Sequence, residues 1–186
     1  MVREWIPVPG SAKARLLEAA IDQFERFGFE AANVVEIASA AGTTTGSLYH
    51  HFDSKLGLFQ IVRQEMERRI RDRLEGAWAG AGGGWQGVTA ALLVSFDAAV
   101  RFKAARILSE PVAGLGEDLV LTTLETLVQP APPAAAAVMA GLWRAALSAA
   151  SASATAEEAR RGLEWVLASG GYGPGRHGSR TAPARP

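Results

Sequence analysis

The stretch "AGTTTGSLYHHFDSK", residues 41–55, decides how the rest of the chain is read. It holds a glycine turn, three consecutive threonines, a second glycine, and a tyrosine and two histidines between Leu48 and Phe52. If residues 45–51 form a helix, Leu48 and Phe52 lie four apart and face inward, with Ile37 and Ala38 as their partners. Thr45, Ser47, Tyr49 and His50 then point outward or sideways. Such a face is too polar for a core and too weakly charged for plain solvation. Short hydroxyls, a phenol and an imidazole suit base edges and phosphate oxygens.

Working outward, helical periodicity continues on both sides. In "SAKARLLEAAIDQFERFGFE" (11–30) Leu16, Leu17, Ala20, Ile21, Phe24 and Phe27 recur at three- and four-residue spacing, which predicts one buried stripe. Ser11 is the expected N-cap and Gly28 the expected stop. Asn33 opens a short helix over 33–41, with Glu36 placed as in a capping box. Gly42 ends it. Thr44 caps the next helix, and Ser54 a long one that starts at Lys55. Two short helices joined by a glycine-containing turn make a helix-turn-helix.

Two positions sharpen this reading. A glycine inside a helix costs roughly 1 kcal/mol relative to alanine, and Gly46 is compensated if another surface approaches closely there. Lys55 opens a helix, where the dipole disfavours a cation. A phosphate held between its ammonium and the free backbone N–H groups would reverse that sign. Taken alone, the unit could still be a structural corner, with Tyr49 covering a core edge and the histidines solvated. Adjacent histidines diverge by about 100° on a helix and make a poor metal site. No metal and no cofactor are expected.

Beyond the "GAGGG" break at 80–84, residues 85–110 support one or two helices ended by Pro111, and residues 117–129 another. "PAPP" at 130–133 is a connector. An alanine-rich helix and a last amphipathic one follow, and the Gly-, Pro- and Arg-rich end reads as disordered. No strand pattern stands out. The expected fold class is all-α: an arm (1–10), a three-helix DNA-binding domain (11–56), a helical domain (57–169) and a tail (170–186).

Composition narrows the function classes. The 186 residues are 48% hydrophobic, so a sizeable core can form, and they include no cysteine, which excludes disulfides and thiolate metal sites. No run approaches the ~18 uninterrupted apolar residues of a membrane span, and the start is too polar for a signal peptide, so the cytoplasm is the expected location. Formal net charge is zero, with ten Lys or Arg against eleven Asp or Glu over residues 1–75. Any grip on nucleic acid must come from a few placed groups rather than bulk positive charge. GxSxG, paired carboxylates, a phosphate-cradling loop and a cysteine nucleophile are all missing, which argues against an enzyme.

From Arg15 to Phe59 the chain resembles the TetR/AcrR family of bacterial transcriptional regulators. The likeness lies in the ordered run Ala-Ala and Phe in the first helix, Gly-Phe at its end, Ile-Ala then Ala-Gly, Gly-x-Leu-Tyr-x-His-Phe, and Ser-Lys. It departs at Ala32, where the family often has Thr, and at Leu56, where it favours Glu. The resemblance implies that Thr45, Gly46, Ser47, Tyr49 and His50 approach bases or backbone of double-stranded DNA, while Thr44, His51 and Lys55 contact phosphates. It further implies a homodimer paired through residues 134–169 and a pocket for a small-molecule effector. Trp78, Trp85, Phe96, Phe102, Met139 and Trp143 are candidates for the pocket wall. Few charges interrupt these stripes, so the effector is expected to be largely apolar, with one acidic group at most. The competing reading is an all-helical adaptor whose DNA head has lost its function.

Overall fold

The computed structural model describes residues 10–132, 134–152 and 154–170, and among them every regular element is a helix. These are α1 (Ala12–Ala31), α2 (Val34–Ala40), α3 (Thr45–Phe52), α4 (Lys55–Gly80), α5 (Gly84–Arg101), α6 (Ala105–Ser109), α7 (Leu119–Leu127), α8 (Ala135–Ala152) and α9 (Ala156–Gly170). Apart from Gly10 and Gly170, the expected N-terminal arm and disordered tail lie outside the described residues.

Side-chain caps set the starts of the helices around the opening stretch. Ser11 Oγ accepts from the Ala14 amide at 3.2 Å, Thr44 Oγ1 from Ser47 at 3.1 Å, and Ser54 Oγ from Gly57 at 2.9 Å. Each satisfies an amide with no partner inside its helix. Asn33 caps differently from expectation: its Oδ1 accepts from Val35 at 2.8 Å, two residues on. Gly28 does stop the regular part of α1. It sits at φ 78°, ψ 174°, and one further turn follows the kink as far as Ala31.

The apolar side chains collect into two clusters. The first joins Leu16, Ala20 and Phe24 of α1 to Ile37, Leu48 and Phe52, then continues into Leu58, Phe59 and Val62 of α4 and Ile107 of α6. Phe24 and Phe59 meet edge to face, 4.9 Å between ring centres. The second cluster spans α4 to α9, including Ala105 and Leu108 of α6, around the fully buried Trp143 and Phe96. Residues 85–110 resolve into two helices because the chain turns at Lys103, in the left-handed region at φ 54°.

Helix α8 is, among the described residues, the one long and apolar enough to cross a membrane, with mean hydropathy 1.2. It works as a bundle member here. It packs on α6, α7 and α9, buries Trp143 and Leu147, and pairs Arg144 with Asp118.

Candidate nucleic-acid interface

Helix α3 is short and held from beneath. Leu48 and Phe52 are buried in one cluster with Ile37, as the four-residue spacing requires, while the other expected partner, Ala38, is buried but not a member of that cluster. The opposite side is open. Thr44, Gly46, Tyr49 and His50 are exposed, and Thr45, Ser47 and His51 are half-buried. Tyr49 is 45% exposed, high for a ring flanked by core positions. The expected group therefore forms one surface ridge, with the two imidazoles 5.4 Å apart at its C-terminal end.

Gly46 is not demanded by the chain's own packing. A Cβ built there meets only Thr44 Oγ1, at 3.7 Å, an ordinary contact. Nothing internal accounts for a glycine in the first turn of this helix, and the space above it faces outward.

Lys55 has a partner that its position alone did not reveal. Its Nζ donates to the Glu30 carbonyl at 2.8 Å and stands 5.0 Å from the Phe29 ring centre. The cation that α4 disfavours at its start is compensated by the last carbonyls of α1, the negative end of that helix. An ammonium has three N–H donors, and this bond uses one. A second cation was missed by sequence reasoning. Lys13 Nζ lies 5.8 Å from the Phe52 ring centre, at the end of α3, and desolvation lowers its pKa from the ordinary lysine value. The signal was its place in the first turn of α1, next to the cap.

Five of the six expected pocket-wall residues, all but Trp85, meet in the second cluster. Phe96 and Trp143 are core, Trp85 is 40% exposed, and Phe102 and Met139 pack half-buried against the second cluster. Trp78 lines a cavity of about 560 Å³ between the end of α4 and α7, with Arg71, Glu75 and Thr126. A second cleft, about 590 Å³, opens between α4, residues 109–118 and α8. Its wall combines the ion pairs Arg63–Glu67 (2.9 Å) and Arg144–Asp118 (2.5 Å) with Gln60, Pro111, Val112 and Leu115. Arg63 is buried. Its guanidinium also donates to the carbonyls of Ile107 and Glu110, at 3.0 and 2.9 Å. Desolvation raises the Glu67 pKa, opposed by Arg63. The i, i+4 spacing of Arg63 and Glu67 was visible in the sequence, but their burial was not.

A capped two-helix unit that buries one side of its second helix and offers hydroxyls, a phenol and imidazoles on the other defines a helix-turn-helix protein. Residues 16–62 match the family described as bacterial regulatory proteins, tetR family, so the likeness to that family is carried by this N-terminal segment. Over 68 residues it is 40% identical to the HTH-type transcriptional regulator UidR of Escherichia coli (strain K12), covering 34% of this chain and 35% of that protein. Over 66 residues it is 51% identical to the HTH-type transcriptional repressor KstR2 of Rhodococcus jostii, covering 36% and 30%. These matches thus span about a third of the length of the curated relatives.

Solved structures extend the likeness in fold. A TetR-like transcriptional regulator from Rhodococcus sp. RHA1 superposes with a TM-score of 0.64 at 20% identity, covering 89% of this chain and 98% of that one. A TetR-family regulator from Pectobacterium atrosepticum gives 0.61 at 24% identity, covering 84% and 89%.

Proposed function

We propose that the protein is a dimeric, ligand-responsive repressor that binds a near-palindromic DNA operator. The observation that carries this reading is the open ridge of α3, with Gly46 unfilled at its start. In this reading Thr45, Gly46, Ser47, Tyr49 and His50 face the major groove, and Thr44, His51 and Lys55 face phosphates. A single short recognition helix reads too few bases to bind strongly alone, whereas a twofold pair reads two half-sites one helical turn apart.

The last two helices support the pairing. On α8 the exposed residues Ala137, Gly141, Ala145, Ser148 and Ala152 form a stripe of small side chains, with Val138 beside it at 61% exposure. On α9, Gly162, Trp165 and Val166 are exposed, Trp165 at 71%. A Cβ at Gly141 or Gly162 would meet nothing within 4 Å. Small residues beside a bare tryptophan allow close approach of a second copy, and covering them removes apolar surface from water.

The effector fits the cleft between α4 and residues 109–118. An apolar body suits Pro111, Val112 and Leu115, and one polar or acidic group suits Arg144 in exchange for Asp118. A ligand shifts the DNA-binding equilibrium only by its differential affinity for the two forms. Moving a population from 1:99 to 99:1 takes about 5.5 kcal/mol, more than the typical 1–3 kcal/mol coupling of one ligand, so full release takes two ligands per dimer.

The test is a salt-titrated gel shift with DNA flanking the gene. Tyr49→Ala and Lys55→Ala are expected to weaken binding while leaving the dimer intact. Wild-type affinity in either variant would refute the site, and salt-dependent binding by the parent protein separates a repressor from an adaptor that has lost its DNA head.

A further inference from the structure

We propose that Glu110 is a positioning residue that ties the state of the cleft to the DNA-reading head through the end of α1. This deepens the repressor reading and rests on it. Glu110 belongs to both places at once. It lines the cleft, and its main-chain oxygen accepts from Arg63. Its carboxylate reaches away from the cleft and accepts from the Phe29 amide at 2.9 Å, across 81 residues of sequence.

The docking is shaped by Gly28. A Cβ at Gly28 would stand 3.0 Å from both carboxylate oxygens of Glu110, and the backbone there is left-handed at φ 78°. The kink in α1 thus turns the Phe29 amide outward and clears the room for an acid to meet it. The other end of α6 is fastened to the same helix. Glu25 accepts from the amides of Ala105, Arg106 and Ile107 at 3.1, 2.9 and 3.3 Å, the unpaired N–H groups at the start of α6. Helix α6 is therefore clamped to α1 at both ends, and it cannot shift without moving α1.

From Phe29 the connection to the head is one residue long. Glu30 offers its carbonyl to Lys55, the first residue of α4, and Phe29 lies beneath the same ammonium. A ligand that displaces residues 109–118 loosens Glu110 from Phe29, releases the last turn of α1, and changes where Lys55 is held beside α3. A bound operator that needs Lys55 in place must, by reciprocity, tighten the cleft wall.

Reciprocity supplies a test that needs no effector. The probe is a DNA duplex selected by the purified protein from a random-sequence library, and the readout is amide hydrogen exchange in residues 109–118 with and without that duplex. In the wild-type protein the duplex is expected to slow exchange there by about fivefold or more, the lower end of ordinary allosteric coupling. Glu110→Gln keeps an acceptor oxygen and retains the effect. Glu110→Ala, folded by its thermal melt and still binding the duplex, loses it. Unchanged exchange in the wild type despite DNA binding, or a full effect in Glu110→Ala, overturns the proposal. The wild-type comparison decides even if Glu110→Ala does not fold. A library from which no duplex is retained overturns the repressor reading itself, a separate result.

Discussion

Gly46→Ala is the perturbation that separates an interface from ordinary packing, because stability and function are expected to move in opposite directions. Inside the chain the added methyl has room, its nearest contact being Thr44 Oγ1 at 3.7 Å. Alanine over glycine in a helix is favourable by about 0.5–1 kcal/mol, and the lower figure suits a first-turn position. For a chain of this size that raises the melting temperature by about 1–2 °C. Against DNA the same methyl enters a contact that a glycine leaves open. Forcing a methylene into a packed surface costs about 1–3 kcal/mol, hence about 2–6 kcal/mol over two half-sites. Operator affinity should then fall at least ~30-fold. Calorimetry and fluorescence anisotropy on the same preparation read both quantities. A variant that melts higher and binds DNA as tightly as the parent would show that nothing approaches Gly46.

Other outcomes follow from the same geometry. Trp165→Glu should leave the monomer's helicity unchanged and raise the dimer dissociation constant by about a thousandfold, taking ~2 kcal/mol for each buried hot spot, measured by sedimentation equilibrium; an unchanged dimer would place the interface elsewhere. With Lys13 and Lys55 as the close cations of each head, four per dimer, log affinity should fall against log salt with a slope of about −4. A slope near −10 would mean that bulk positive charge binds the DNA after all. Burial raises the Glu67 pKa above its ordinary value, so the folded form holds a proton that the unfolded chain gives up. That contribution to stability is complete below the unfolded pKa and is lost as pH rises through the folded one. Relative to the parent, Glu67→Gln should therefore gain stability from pH 4 toward neutrality in paired urea melts, and a flat difference would refute the assignment.

The head was legible because its determinants are local. Ser11, Thr44 and Ser54 each stand three residues before the amide they cap, and Leu48 and Phe52 are four apart, so short-range spacing carries the information. What spacing cannot show is a partner brought in by the fold. Glu25 and Glu110 each find their amides about 80 residues away, and Lys55 finds Glu30 across 25. The wall of the cleft was missed for a related reason. Phe96 and Trp143, two of the aromatics expected in a pocket wall, are fully buried in the second cluster and do not border this cleft. The cleft forms instead where a buried Arg63 and its carboxylate hold α4 against an irregular segment.

The first hydrophobic cluster bears on how such a head could be transplanted. Leu58, Phe59 and Val62 lie beyond residue 56, and Ile107 lies some fifty residues later, yet all four seal the same interior as Leu48. A hybrid regulator spliced at residue 56 would inherit a reading helix whose lid belongs to someone else. A workable graft carries residues 11–62 and brings the 105–110 segment with them, so that the acceptor body is rebuilt around the donor's α6 and not merely attached to its end.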